Sequence, residues 1–135
     1  RPLTLVASGG SSRALQHREQ WFDACNAVAV APGIAVVYRR NDATLDGMRA
    51  LDAPALRASG ALAVPGAKKV PSAHLRPFQV IAAEDVTPRR ARDLVDAGER
   101  VLVCIDGGEL GRARGGPHCM TMALHREPDD WTSRP

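Results

Sequence analysis

Aromatic side chains are scarce in this chain: two Trp, two Phe and one Tyr, 4% of its residues. A core made with so few must be filled by Ala, Val and Leu, and small side chains bury less area each. A strongly stabilised core is therefore not expected. Cysteine is nearly as rare. Cys25, Cys104 and Cys119 are an odd number with no paired metal spacing. That argues against a disulfide scaffold and for a reducing compartment with at least one free thiol. No apolar run approaches the roughly 20 residues of a membrane span, and the first residues lack the pattern of a signal peptide. Basic residues exceed acidic ones only by 18 to 15, and they are scattered. With neither a basic block nor interleaved aromatics, a nucleic-acid interface is not expected.

What remains is ordinary for a soluble α/β domain or a piece of one: 135 residues, 44% hydrophobic and 24% charged. The chain opens on Arg1 and runs at once into Leu3-Thr4-Leu5-Val6, a short strand by composition over residues 3–7. That start reads as the C-terminal part of a longer protein. Ser8-Gly9-Gly10-Ser11-Ser12 is a loop. Residues 13–24 fit a short helix or an irregular turn. Two apolar runs, 26–31 and 34–38, are split by Pro32-Gly33, a hairpin signal. Both are apolar on both faces, which predicts a hairpin covered on both sides. Residues 43–85 are rich in Ala and Pro and read mainly as loop, with a short helix near 44–51 and a strand at Phe78–Ile81. Thr87-Pro88 supplies a helix N-cap and first-turn proline, and Gly98 a stop. Val101–Ile105 is a buried strand by composition. A short strand is expected at Met120–Leu124, followed by a polar, exposed tail, 126–135.

The chemistry concentrates in Glu109-Leu110-Gly111-Arg112-Ala113-Arg114-Gly115-Gly116-Pro117-His118-Cys119-Met120. Glycines let the backbone turn tightly and approach a ligand. Arginine can grip a carboxylate with two parallel hydrogen bonds. Positive charge beside a thiol favours the thiolate, the form that attacks carbon. A cysteine taken alone is more often a buried structural residue, but Arg112, Arg114 and His118 are poor company for an inert thiol. Cys119 is therefore the candidate nucleophile. Arg114 is read as the carboxylate anchor and Arg112 as half of a structural ion pair; the bland alternative is a solvated basic turn or a phosphate-binding loop. His118 neighbours the nucleophile in an expected strand, so its side chain should face away. A zinc site from His118, Cys119 and His125 matches no standard ligand spacing. Asp23 and Asn26 are read as loop formers that bond nearby backbone.

Two blocks resemble arginine deiminases. One runs from Gly9-Gly10 through Arg18-Glu19-Gln20-Trp21, Asp23-Ala24 and Asn26 to Asn41. The other runs from about Thr87 to Leu124 and includes the glycine-rich run ending in Cys119-Met120. The resemblance implies a partial pentein, a β/α propeller of ββαβ modules, with about the last one to two of five modules present. The domain would be residues 1–135, the C-terminal part of an arginine deiminase-like catalytic domain, with an insertion at 43–85. It implies hydrolysis of L-arginine to citrulline and ammonia in the cytoplasm, through a covalent cysteine thiouronium, with no metal or organic cofactor. Cys119 falls on the catalytic position. Arg114 falls on that of the substrate carboxylate, and Ala113 on that of a backbone carbonyl facing the substrate. The family's His-x-Asp pair and guanidinium-binding carboxylates have no counterpart here, so the chain alone is expected to be inactive. Ala113 stands where the family has glycine, and Phe22 and Cys25 alter its Trp-Asp-Asp-x-Asn-Asn pattern. The alternatives are a non-catalytic remnant binding arginine or a partner protein, or an amidinohydrolase for another guanidine compound. Self-association or pairing with a companion N-terminal segment is also expected, since isolated strand edges invite partners.

Overall fold

The computed structural model describes residues 6–50 and 77–125. The expected strand at 3–7 lies mostly outside them, and Val6 and Ala7 form none; residues 51–76 and the tail also lie outside. The elements, in chain order, are α1 (Arg13–Trp21), β1 (Val28–Ala31), β2 (Ile34–Tyr38), α2 (Asp42–Arg49), β3 (Gln79–Ala82), α3 (Pro88–Asp96), β4 (Val101–Ile105) and α4 (Gly108–Arg112), with a 3-10 turn at Ala83–Asp85. They form an α/β fold on one mixed four-stranded sheet of order β1-β2-β4-β3. None of the described helices is long and apolar enough to cross a membrane.

The hairpin forms where the sequence places it. β1 and β2 are antiparallel, pairing Val28 with Val36 and Ala31 with Ile34. Gly33 turns the chain at φ 81°, and an added Cβ there would lie 2.7 Å from the Glu99 carbonyl oxygen, so glycine is required on two counts. Beyond the hairpin the sheet is parallel. β4 lies between β2 and β3, pairing Tyr38 with Ile105 on one side and Ala82 with Cys104 on the other. Being central, β4 needs to be apolar throughout, and Val101, Leu102 and Cys104 are 0–3% exposed. Burial raises the Cys104 thiol pKa above its ordinary range, as expected of a structural cysteine. Thr87 caps α3 by accepting from the Arg90 N–H, with Pro88 at its first position, and Gly98 follows its end at φ 63°.

Two expectations are corrected. β1 is an edge strand with Ala29 and Val30 exposed, so the hairpin is not covered on both sides; residue type alone does not reveal which strand ends a sheet. The ends of 43–85 are ordered as expected: α2 (Asp42–Arg49) stands where the sequence predicts a helix near 44–51 and β3 (Gln79–Ala82) where it predicts a strand at 78–81, closing the far edge of the sheet. Met120–Leu124, however, is not a strand. Met120 closes a turn and Thr121–Leu124 is irregular. The residues alternate as a strand would, but β4 already has both neighbours, and the loop before them is tied down beyond the sheet's end.

That tie follows from topology. β1 runs opposite to β2, so the start of β1 lies at the carboxyl ends of β2 and β4. The turn Asp23–Asn26 and the loop after β4 therefore emerge at one edge of the sheet, the usual place for a ligand site in parallel α/β sheets. Beneath them a small-residue core joins Val37, Leu45, Leu102 and Cys104 with Ala27, Ala35, Met48, Phe78 and Val80. Glu19, wholly buried at the first turn of α2, accepts from the Ala43 and Thr44 N–H groups at 2.9 and 2.8 Å and from the Thr44 hydroxyl at 2.6 Å. A carboxylate there satisfies helix donors that have no partner within the helix, and Asn41, the residue before α2, makes no side-chain capping bond of its own.

Candidate active site

Cys119 is exposed and sits in a turn, Pro117–Met120, that follows α4 and the glycine-rich loop. Asn26 holds it across 93 positions of sequence: Asn26 Nδ2 donates to Cys119 Sγ at 2.7 Å. Asn26 Oδ1 accepts from the His118 and Cys119 N–H groups at 3.0 and 3.2 Å. The other end of the loop is fixed by Asp23, whose Oδ2 accepts from the Gly115 N–H at 2.7 Å. Asp23 and Arg114 take positive φ, 53° and 66°, an arrangement that costs energy in any residue but glycine and clusters at functional sites. Gly116 packs flush on Asn26, where a Cβ would lie 2.4 Å from the Asn26 Cβ.

Tyr38, 2% exposed at the end of β2, donates its hydroxyl to the Gly115 carbonyl oxygen at 2.9 Å. Burial, then the neighbouring Asp23 and Cys119, raises its pKa above the usual phenol range. Its ring lies against Gly107, where no side chain fits. Phe22 packs on Gly111 and takes the Arg40 guanidinium over its ring at 4.5 Å, so this departure from the family pattern has a local use.

An open cleft of about 530 Å³ is lined by residues that include Gln20, Asp23, Cys25, Asn26, Arg114 and His118; Asn26 joins it to the Cys119 thiol. Arg114 projects from the loop with its guanidinium 4.4 Å above the Trp21 ring. An arginine held by an aromatic face keeps its donor edge free. Arg112 instead pairs with Glu109 at 2.9 Å within α4, in the open. Ala113 ends α4, exposed between the two arginines. His118 lies in a turn rather than a strand, so the alternation argument for its direction does not hold; it lines the cleft. Among the described residues no group of three His, Cys, Asp or Glu gathers as a metal site.

The structure thus brings Arg114 and His118 to one cleft, ties Cys119 to it through Asn26, and leaves Arg112 in its ion pair. Local reading missed Asp23, Asn26, Trp21 and Tyr38 as site builders. Their partners lie 77–93 positions away in sequence, beyond the reach of loop propensities; their place in the first family-like block was the available signal.

An α/β protein presenting a clamped cysteine thiol and a ring-supported arginine at the lip of a cleft is defined by fold and site together. A family model described as arginine deiminase matches residues 1–126, and the chain belongs to that family. It is 29% identical over 125 residues to the arginine deiminase of Latilactobacillus sakei subsp. sakei (strain 23K), a match covering 93% of this chain and 19% of that protein. With those of Streptococcus uberis and Mycoplasma capricolum it shares 30% over 125 and 127 residues, covering 93% and 94% of this chain and 19% and 20% of theirs. The chain therefore spans about a fifth of the curated relatives it matches. No solved structure gives a significant match.

Proposed function

We propose that this chain is the nucleophile-bearing part of an arginine deiminase-type hydrolase, converting L-arginine to citrulline and ammonia. One observation supports this most: the cysteine of the family motif is exposed and clamped by Asn26, a residue that lines a cleft together with Arg114. In this reading Cys119 Sγ attacks the guanidinium carbon, forming an S–C bond. Ammonia departs with the C–N electron pair and a proton, leaving a covalent thiouronium. Water adds to the same carbon, the S–C pair returns to sulfur, and citrulline is released. Arg114 takes the substrate carboxylate and the Ala113 carbonyl faces the substrate. No metal or organic cofactor enters these steps.

A guanidinium is a poor electrophile, so it must be gripped by carboxylates and served by a proton carrier. None of the four histidines here has an aspartate two positions on. The proton-transfer pair must then come from outside these residues, and the chain alone releases no citrulline. Within the fold, β1-β2-α3-β4 forms a ββαβ unit of a pentein, with α2 and β3 added at its far edge.

The test is a chimera in which residues 1–126 replace the matching segment of the Streptococcus uberis arginine deiminase. Citrulline release that disappears in Cys119→Ser is the expected result. A soluble, folded chimera that binds arginine yet releases no citrulline would count against the assignment.

A further inference from the structure

Among the described residues, Asn26 is the one side chain that hydrogen-bonds both the sulfur and the backbone of the nucleophile's turn. We infer that it is a positioning residue for the reaction, one that orients the thiol and supports negative charge on it; this rests on Cys119 being the nucleophile. An asparagine amide has an acceptor end and a donor end. Two backbone N–H groups, of His118 and Cys119, converge on Oδ1. Only an acceptor can face two donors, so the amide cannot be flipped, and its N–H edge is committed to the sulfur 2.7 Å away. The clamp has little slack. Gly116 leaves no space beside the Asn26 Cβ. The Asn26 N–H donates to the Asp23 carbonyl oxygen at 2.9 Å, while the Asp23 carboxylate accepts from Gly115. One short turn thus grips both ends of the Gly115–Cys119 loop.

The chemistry gives that contact a use. A hydrogen bond to an anion is stronger than one to a neutral thiol, so the Asn26 donor favours the thiolate before attack. It loosens once sulfur is bonded to carbon. It tightens again when the S–C pair returns to sulfur as the product leaves. Asn26 transfers no proton; it lowers the cost of charge on sulfur at both ends of the cycle.

Asn26→Asp separates this role from a structural one. It keeps an oxygen for both backbone donors and replaces the N–H facing sulfur with a carboxylate oxygen. The measurement is iodoacetamide alkylation of Cys119 in the full 135-residue chain, followed by peptide mass spectrometry because Cys25 is also exposed. With folding unchanged by circular dichroism, alkylation near pH 7 should slow about tenfold. A folded variant alkylated at the wild-type rate overturns the inference. Should the variant fail to fold, the wild type decides: its Asn26 side-chain amide signals in NMR should shift as Cys119 ionises and stay fixed in Cys119→Ala. Signals indifferent to that ionisation overturn it as well. Neither readout needs turnover, so a folded chimera that binds arginine yet releases no citrulline would defeat the deiminase reading without touching these results.

Discussion

Glu19 is a charged side chain with no solvent exposure, in a chain whose core residues are small. Its carboxylate collects two N–H groups of α2, the Thr44 hydroxyl and the Arg18 guanidinium, and Arg18 also reaches Asp42. Every lone pair that faces inward is used, which is the condition for a buried charge to be tolerated. Removing it strands two amide donors and a hydroxyl, each costing about 1–3 kcal/mol when buried unpaired. Part of α2 would relax toward water, so Glu19→Ala should lower the unfolding free energy by about 3 kcal/mol. Urea unfolding checks this, and a change within about 0.5 kcal/mol would show that α2 caps itself. The sequence offers Glu19 only as one charge among several in 13–24. What makes it structural is a helix that starts 23 positions later, and no local pattern carries that information.

At the level of elements, legibility followed the range of the forces involved. The Pro32-Gly33 turn and the Thr87-Pro88 cap are set by φ preferences and hydrogen bonds within four residues, and both elements form where expected. β4 is legible because a central parallel strand must be apolar throughout. The Met120–Leu124 strand failed because alternation marks a residue's suitability for a sheet, not the presence of a free edge beside it. The loop between α4 and that segment belongs instead to Tyr38, which binds it to the end of β2. The Tyr38 phenol is held above its ordinary range, first by burial and then by Asp23 and Cys119. The folded state thus binds this proton more tightly than the unfolded chain, whose phenol titrates near 10. The stabilisation is complete below pH ~10 and is lost as pH rises through the folded value. Thermal unfolding between about pH 8 and 11 should show that loss in the wild type. Tyr38→Phe should start lower by about 1 kcal/mol, from the missing bond to Gly115, and lack the extra alkaline decline. Tyr38 is the chain's one tyrosine, so tyrosinate absorbance assigns the titration directly. Parallel declines in both proteins would place its cause elsewhere.

For the molecule as a whole, the three most exposed large apolar side chains among the described residues lie at two places. Val30 is 61% exposed on edge strand β1, while Met122 and Leu124 are 79% and 88% exposed after the nucleophile's turn. A net charge of +3 offers little repulsion between copies. Among the described residues β1 has no partner on its outer side, and although it is short and irregular between Ala29 and Ala31, it carries no proline and no charged side chain to guard that edge. Edge-to-edge pairing through β1 is the expected mode of self-association, since it would satisfy backbone hydrogen bonds that contact through the irregular Met122 segment could not. Light scattering over a dilution series should show a mass that rises with concentration. Val30→Lys should hold the chain monomeric, because two lysines would then face each other across the paired edges. Met122→Lys should leave the association nearly intact. The reverse pattern would assign association to the apolar strip after Cys119, and a wild-type mass independent of concentration would mean that neither surface is sticky enough to pair.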